Sequence, residues 1–356
     1  MQVPNSMRPL LLAVAFALTC TEASAQNAYI PNSGSSSVSV INTATNSVTT
    51  TVTVGRFPWG VSVSPDGSKV YVANQGDDNV SVIDTANNTV TATVAVGSNP
   101  RGVAVSPNGL KVYVTNIRSN TVSVINAATN LVTTTVSVGN SPTGVAVSPD
   151  SSKVYVANQG DDNVSVIDTA NNTVISQVQV DSQPRGVAVS PDGLKVYVTN
   201  NLAGNVSVIN TANNGTTTVG VGSYPFGLSV SPDSSKVYVA NAGSGTVSVI
   251  NAATNLVTTT VSVGNSPNGV AVSPDSSKVY VANQSDDNVS VINTATNIVT
   301  TTVAVGSGPI SLGNFIGPAP AAVPVPTLSH WAMIGLGLLL AGLALIQVRR
   351  VRRTPA

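Results

Sequence analysis

Apolar and polar residues alternate along most of this chain, in short runs that stop at turn-forming residues and then begin again. Between Gly60 and Val96 the runs are GVSVS (Gly60–Ser64), KVYVAN (Lys69–Asn74), NVSVID (Asn79–Asp84) and TVTATVAV (Thr89–Val96). Period-two alternation rich in Val and Thr predicts four strands, here called A to D. SPDG after strand A suits a type I turn, with Pro at its second position and Asp-Gly following. DTANN and NAATN, between strands C and D, are of hairpin length. Strands A to C carry apolar residues on both faces, as expected of sheets sandwiched between neighbours. The Thr-rich D strands suit an outer rim.

The four-strand unit recurs. Tyr-x-x-Asn marks it at Tyr29, Tyr71, Tyr113, Tyr155, Tyr197, Tyr238 and Tyr280, with spacings of 42, 42, 42, 42, 41 and 42. A period near 42 fits one four-stranded propeller blade. The two ends of the array are complementary. The first unit begins at YIPN (Tyr29–Asn32) without a strand A, and the last is followed by GPISLGNFIG (Gly308–Gly317), an orphan segment in the A position. The sequence therefore predicts an all-β fold: a seven-bladed β-propeller of four-stranded antiparallel blades over residues 26–316. Ile310–Phe315 would complete the first blade, and closure would hide the edges of an open sheet. A β-solenoid is the alternative, but it would not need complementary ends.

YVTN at Tyr113–Asn116 and Tyr197–Asn200, joined to GVAVSPDG, resembles the YVTN β-propeller repeat family of secreted and cell-surface proteins. The resemblance covers residues 29–316. It implies the seven-bladed fold and an envelope setting but no single activity, because propellers host redox enzymes, lactonases and binding modules alike.

The chain ends have a different composition. Residues 1–25 read as a signal peptide: Arg8 precedes the apolar Leu10–Cys20, and Ala23-Ser24-Ala25 offers a signal-peptidase site. Cys20, the one cysteine, falls within it, so the mature chain would rely on no disulfide. At the other end, residues 317–326 form a stiff Pro/Ala linker. Residues 327–356 then hold an uncharged stretch, Trp331–Val348, long enough for a transmembrane helix (331–348), and an arginine cluster expected to stay cytoplasmic. Pro326-Thr327-Leu328, the apolar stretch and the arginine-rich end resemble the IPTL-type sorting signals of Gram-negative bacteria. Val325 replaces the usual Ile, and His330 stands where an acidic residue is usual. The resemblance implies a sorting protease and a membrane anchor, at least a transient one, at a Gram-negative envelope.

Charge narrows the function further. Residues 26–316 hold 14 Asp against 10 Lys and Arg, an acidic body that argues against nucleic acid as a partner. They contain no His, Cys or Glu. That excludes Ser-His-Asp and Cys-His catalysis and ordinary zinc or copper sites. Propeller lactonases lean on Glu or His, so an enzyme is not expected and no cofactor is implied.

Positional variation points to a binding site. The frame before strand A reads GRFPWG, GSNPRG, GNSPTG, DSQPRG, GSYPFG, GNSPNG and GSGPIS in turn. The residue after Pro varies: Trp59, Arg101, Thr143, Arg185, Phe226, Asn268 and Ile310. Strand A is innermost in a propeller, so these residues are expected around the channel mouth, on the edge shared by the D–A and B–C loops. Trp59, Arg101, Arg185, Phe226 and Asn268, with Phe57, Tyr224 and Arg118 nearby, form the candidate rim. Arginine holds carboxylate or phosphate bidentately, and aromatics anchor ligands. The same edge carries Asp77-Asp78, Asp161-Asp162 and Asp286-Asp287, oxygen ligands that would suit Ca²⁺ but equally suit a solvated turn. All six propeller lysines occupy one A–B position and read as a solvated face. The expected role is an exported envelope module that binds an envelope polymer, a protein or a small anionic ligand. The alternatives are a structural coat without discrete ligand and a lactonase-like or redox-associated propeller.

Overall fold

The computed structural model describes residues 26–318. The signal peptide, the transmembrane stretch and the sorting motif expected from sequence lie outside the described residues. Within them, six sheets have four antiparallel strands in the order A-B-C-D, and one, blade 1, has three: Asn27–Asn32, Ser37–Asn42 and Ser47–Thr53. The A strands of blades 2 to 7 are Pro58–Val63, Pro100–Val105, Pro142–Val147, Pro184–Val189, Pro225–Val230 and Pro267–Val272.

Strands B and C are buried along nearly their whole length, whereas each D strand buries one valine, such as Val94 in blade 2. This follows from where the core lies. Tyr71, Ala73, Val80 and Val82 of blade 2 pack on Val103, Val112 and Val114 of blade 3. The pattern repeats from blade to blade and joins blade 7 to blade 1 through Tyr280, Val289, Val38 and Val40. A blade has little core of its own, so hydrophobic burial favours the closed ring.

The tyrosine motif also ends in a structural residue. Asn74 is fully buried, and its Nδ2 donates to Asn79 Oδ1 at 2.7 Å and Ser81 Oγ at 2.9 Å, joining the end of strand B to strand C. Asn158 and Asn283 repeat the arrangement in their own blades.

Closure occurs at blade 1. Asn32 pairs with Pro309 and Ala28 with Ile316, while Tyr29 N donates to Phe315 O and Ile310 N to Pro31 O, both at 2.9 Å. Four steps of chain from Ala28 to Asn32 thus face seven from Pro309 to Ile316. The surplus leaves the ladder. Leu312 bridges Gly60 of blade 2, and Gly313 adopts φ 127° where a Cβ would lie 2.4 Å from Val61 O. The closing segment therefore completes blade 1 and also folds inward against blade 2.

The single 41-residue spacing has a local cause. In blades 1 to 4, 6 and 7 the C–D ladder contains a register shift, as at Val82/Ile83 in blade 2. Blade 5 has none, its C strand Asn205–Asn210 pairing continuously with Thr216–Gly220. A β-bulge needs one extra residue, and this blade lacks it.

The lysines depart from the solvated face expected of them. Lys69 Nζ donates to Ala127 O at 2.8 Å, Lys111 to Thr169 O at 2.6 Å, Lys236 to Thr294 O at 3.2 Å and Lys278 to Thr43 O at 2.7 Å. Lys195 does the same to Ala252 O. Every acceptor is a carbonyl in the C–D turn of the next blade, and the last bond runs from blade 7 to blade 1. The apolar stem lies along protein while the ammonium finds a carbonyl. These lysines are half-buried links between blades.

Candidate functional site

The channel mouth is built by a distortion repeated in each A strand. Pairing with strand B slips just after the proline, as between Pro58 and Val61 or Pro184 and Val187. In blades 2 to 6 the slip takes the variable residue and the glycine after it out of the regular ladder, and in blade 7 it takes Asn268 alone, Gly269 pairing with Ala282. That glycine lets adjacent blades touch: a Cβ at Gly60 would lie 2.0 Å from Arg101 O, and one at Gly144 2.3 Å from Arg185 O. The six variable positions of blades 2 to 7 are thereby drawn into a ring, and Ile310 completes it where a Cβ at Gly269 would lie 2.8 Å from Ser311 Cβ.

Within the ring the members divide. Thr143, Asn268 and Ile310 are buried, and Phe226 is nearly so. Thr143 Oγ1 lies 3.1 Å from Arg185 O, and Asn268 Nδ2 donates to Gln284 Oε1 at 2.6 Å. Ile310, Leu312 and Phe226 form a small apolar cluster with Trp59 packed against it. The inward fold of the closing segment thus supplies part of the wall. On the far side of residues 311–313 the channel widens into a cavity of 410 Å³ lined by Val103, Val145, Val187, Leu228, Val270 and Asn314.

The two arginines lie over aromatic rings. Arg101 Cζ is 4.5 Å from the centroid of the Trp59 ring, and Arg185 Cζ is 5.3 Å from that of Phe226. Both distances are within the range of a cation–π contact. Burial, and then the neighbouring Arg185 guanidinium, push Arg101 down to about 10. Burial also lowers Arg185. Arg101 Nε, Arg185 Nε and Trp59 Nε1 are all buried donors without an acceptor. The one salt bridge among the described residues is elsewhere, Arg56 to Asp77 at 2.6 Å. Two like charges and three N–H groups without a protein acceptor thus meet in one mouth, a setting that favours entry of groups with lone pairs.

The remaining rim residues fall outside this cluster. Phe57 and Tyr224, at φ 51° and 50°, are more than half exposed and lie against Gly76 and Gly243 of the B–C loops. Arg118 is exposed in the B–C loop of blade 3. It lines a polar groove of 820 Å³ whose lining also includes Arg101.

The paired aspartates have a structural occupation that sequence did not reveal. Asp77 accepts from Arg56 N at 2.7 Å and Arg56 Nε at 2.6 Å, while Asp78 accepts from Asn99 N at 2.7 Å in the loop of the next blade. Asp161 and Asp162 hold Asn140 N and Gln183 N, and Asp286 and Asp287 hold Asn265 N and Gly308 N, at 2.7 or 2.8 Å. Each pair joins two successive D–A loops. The backbone N–H of Arg56, followed by its side chain, lowers the Asp77 pKa, and the N–H of Asn265 does the same for Asp286. Among the described residues no three His, Cys, Asp or Glu side chains come together, and a divalent ion at a pair would have to displace these bonds. Their signal was the doubling itself, one carboxylate for each of two loops.

With this geometry in hand, comparison places the chain. Residues 23–138 and 222–304, more than half of its length, match the family described as Lactonase, 7-bladed beta-propeller. The chain belongs to the lactonase-type seven-bladed β-propeller family. Residues 109–201 of this lactonase-type propeller also match a YNCE-like beta-propeller, and residues 323–352 match the IPTL-CTERM motif, which covers Pro326, Thr327 and Leu328. A search of curated proteins finds no match. Among solved structures, Kuenenia stuttgartiensis hydrazine synthase shares 25% identity at a TM-score of 0.70, over 75% of this chain and 92% of that one. A functionally unknown protein from Desulfotomaculum acetoxidans DSM 771 shares 17% identity at a TM-score of 0.70, over 80% and 99%. A putative 6-phosphogluconolactonase from Bacteroides fragilis NCTC 9343 shares 16% identity at a TM-score of 0.69, over 82% and 98%. The last two likenesses concern the fold alone. Residues 26–318 of this lactonase-type propeller contain no His, Cys or Glu.

Proposed function

We propose that this protein is a surface-presented binding propeller that captures an anionic group between Arg101 and Arg185. The observation that carries the reading is the pair of half-buried arginines whose Nε donors are buried and lack acceptors. A carboxylate would offset one of the two charges, a phosphate or sulfate up to both, and each could accept hydrogen bonds from the guanidiniums, bonds to ionised groups being the strong ones. Presentation outside the cell rests on the C-terminal sorting motif.

The test is titration calorimetry of the purified protein with citrate, inorganic phosphate and galacturonate. An anion at a hundred times its Kd should also raise the folding free energy by about 2.7 kcal/mol. Arg101→Met with Arg185→Met should abolish the heat. Binding that survives in the double variant, or none in the wild type, sinks the reading.

A second reading draws on the family itself and on the likeness to a putative 6-phosphogluconolactonase. The same arginines would hold the phosphate of a sugar lactone while water opens the ring. Consumption of 6-phosphogluconolactone above the spontaneous rate, lost in the double variant, would favour it. Binding without turnover would leave the module as a receptor.

A further inference from the structure

We infer that the anion at the mouth is one carboxylate of an acidic polysaccharide, whose chain runs outward along the groove of blade 3. This rests on the reading of Arg101 and Arg185 as an anion site and adds the rest of the ligand. Of the four propeller arginines, blade 3 carries Arg101 and Arg118, and both line this one groove. Arg101 is where the groove and the mouth meet.

Amide groups dominate the groove between these cations. Gln75, Asn99, Asn120 and Asn140 are among its lining residues, and no carboxylate is. The absence has a sequence cause. Where blades 2 and 4 carry Gln-Gly-Asp-Asp (Gln75–Asp78, Gln159–Asp162), blade 3 has Ile117-Arg118-Ser119-Asn120. The substitution deletes two negative charges and adds a positive one at this loop. Some of the amides bond one another, Gln75 Nε2 to Asn99 Oδ1 at 2.7 Å and Asn120 Nδ2 to Asn140 Oδ1 at 3.1 Å. That holds them in place, while each amide retains further donor and acceptor capacity. Hydroxyl groups, which donate and accept, match such a lining.

Size and shape favour a chain over a single ion. At 820 Å³ the groove far exceeds what one phosphate or carboxylate would fill. A protein partner would want apolar anchors in pockets, and Ile117 is the one apolar residue in the lining. A polyuronate offers what the groove asks for: hydroxyls at every unit, and a carboxylate repeated along the chain for Arg101 and again for Arg118.

The test uses the full-length protein and galacturonic acid as monomer and as linear hexamer, with a neutral hexasaccharide and a hexaglutamate peptide alongside. The hexamer should bind at least about tenfold tighter than the monomer, the gain expected of one further charge-assisted contact. Arg118→Gln should remove most of that gain and leave monomer affinity unchanged. Arg101→Met should weaken both. Neutral hexasaccharide and peptide should bind at least tenfold more weakly than the hexagalacturonate. Equal affinity for monomer and hexamer, or no effect of Arg118→Gln on the hexamer, overturns the groove while leaving the anion site intact. Peptide binding as tight as the uronate overturns the saccharide class. If neither uronates nor phosphate bind, the anion site fails too.

Discussion

The two edges of this propeller use positive charge in opposite ways. On the A–B/C–D edge, five of six lysines reach a carbonyl of the next blade, so each ammonium sits where the fold has a spare acceptor. At the other edge, Arg101 and Arg185 stand over aromatic rings, close enough for one to lower the other's pKa, with Nε donors unmatched. Repetition distinguishes the two sets as well. The lysines recur at one position in blades 2 to 7, whereas the arginines appear at the variable position in blades 3 and 5 only. The lysine edge serves closure of the ring. The arginines reach only aromatic rings of neighbouring blades, and the anion proposed above would account for their unmatched donors.

The largest expected effect sets the edges against each other with pH. Burial pushes Tyr71, Tyr113, Tyr197 and Tyr238 up to about 12 from 10.0. Tyr71 shares its acceptor, Ala127 O, with Lys69, so the phenols belong with the lysine edge. Between pH 10 and 12 the unfolded chain has released these protons and the folded one has kept them, so stability falls as pH rises. Four such displacements act in the same direction, so the loss is large against the marginal net stability of a domain. Arg101 has the opposite slope. Its folded pKa of about 10 is below its ordinary 12.5, so its destabilising contribution is full below pH 10 and fades above it. Denaturant melts at rising pH should show a steep loss above pH 10, steeper still in the Arg101→Met/Arg185→Met variant. A flat profile to pH 12 would mean the phenols are solvated.

At neutral pH the double variant should be more stable than the wild type, by about 1–2 kcal/mol, since apolar side chains of similar length relieve two desolvated charges. Urea unfolding reads this directly. A loss of more than about 1 kcal/mol would place the arginines with the lysines as parts of the scaffold.

The scaffold was legible in the sequence to the degree that it repeats. A spacing of 42 residues gave the blades, and the unmatched ends YIPN and GPISLGNFIG gave the closure, because pairing two incomplete units is the simplest way to remove both edges. The ring of variable residues was legible too, because its Pro and Gly frame is constant. What escaped was any contact between blades. Lys69 and Ala127 are 58 residues apart, and nothing in SPDGSK marks the acceptor. Phe57 and Tyr224 read as neighbours of the mouth, yet left-handed backbone turns them onto glycines of the B–C loops. The doubled aspartates read as metal ligands or solvent-facing turns because their partners are backbone amides, which carry no sequence signature. The inward fold at Gly313 came from surplus length that is countable only once the pairing is known.

The smallest effects belong to the lysines themselves, and one of them is a built-in control. Lys278 Nζ donates to Thr43 O at 2.7 Å across the junction of blades 7 and 1, where Tyr280 Oη also reaches Thr43 O at 3.2 Å. Lys278→Met keeps the apolar stem and removes the donor, so it should cost about 1 kcal/mol in urea unfolding, the net worth of one hydrogen bond. Lys153 differs. Among the described residues it makes hydrogen bonds through its backbone, as to Ser148 Oγ at 2.9 Å, and none through its ammonium. The turn it faces is in blade 5, the one blade whose C–D hairpin lacks the bulge residue. Lys153→Met should therefore change stability by less than about 0.5 kcal/mol, as for an ordinary surface substitution. Neither change should alter anion binding at the mouth. Equal losses from the two substitutions would mean that the lysines act through the general field of the ring, because only one of the pair has a carbonyl to lose.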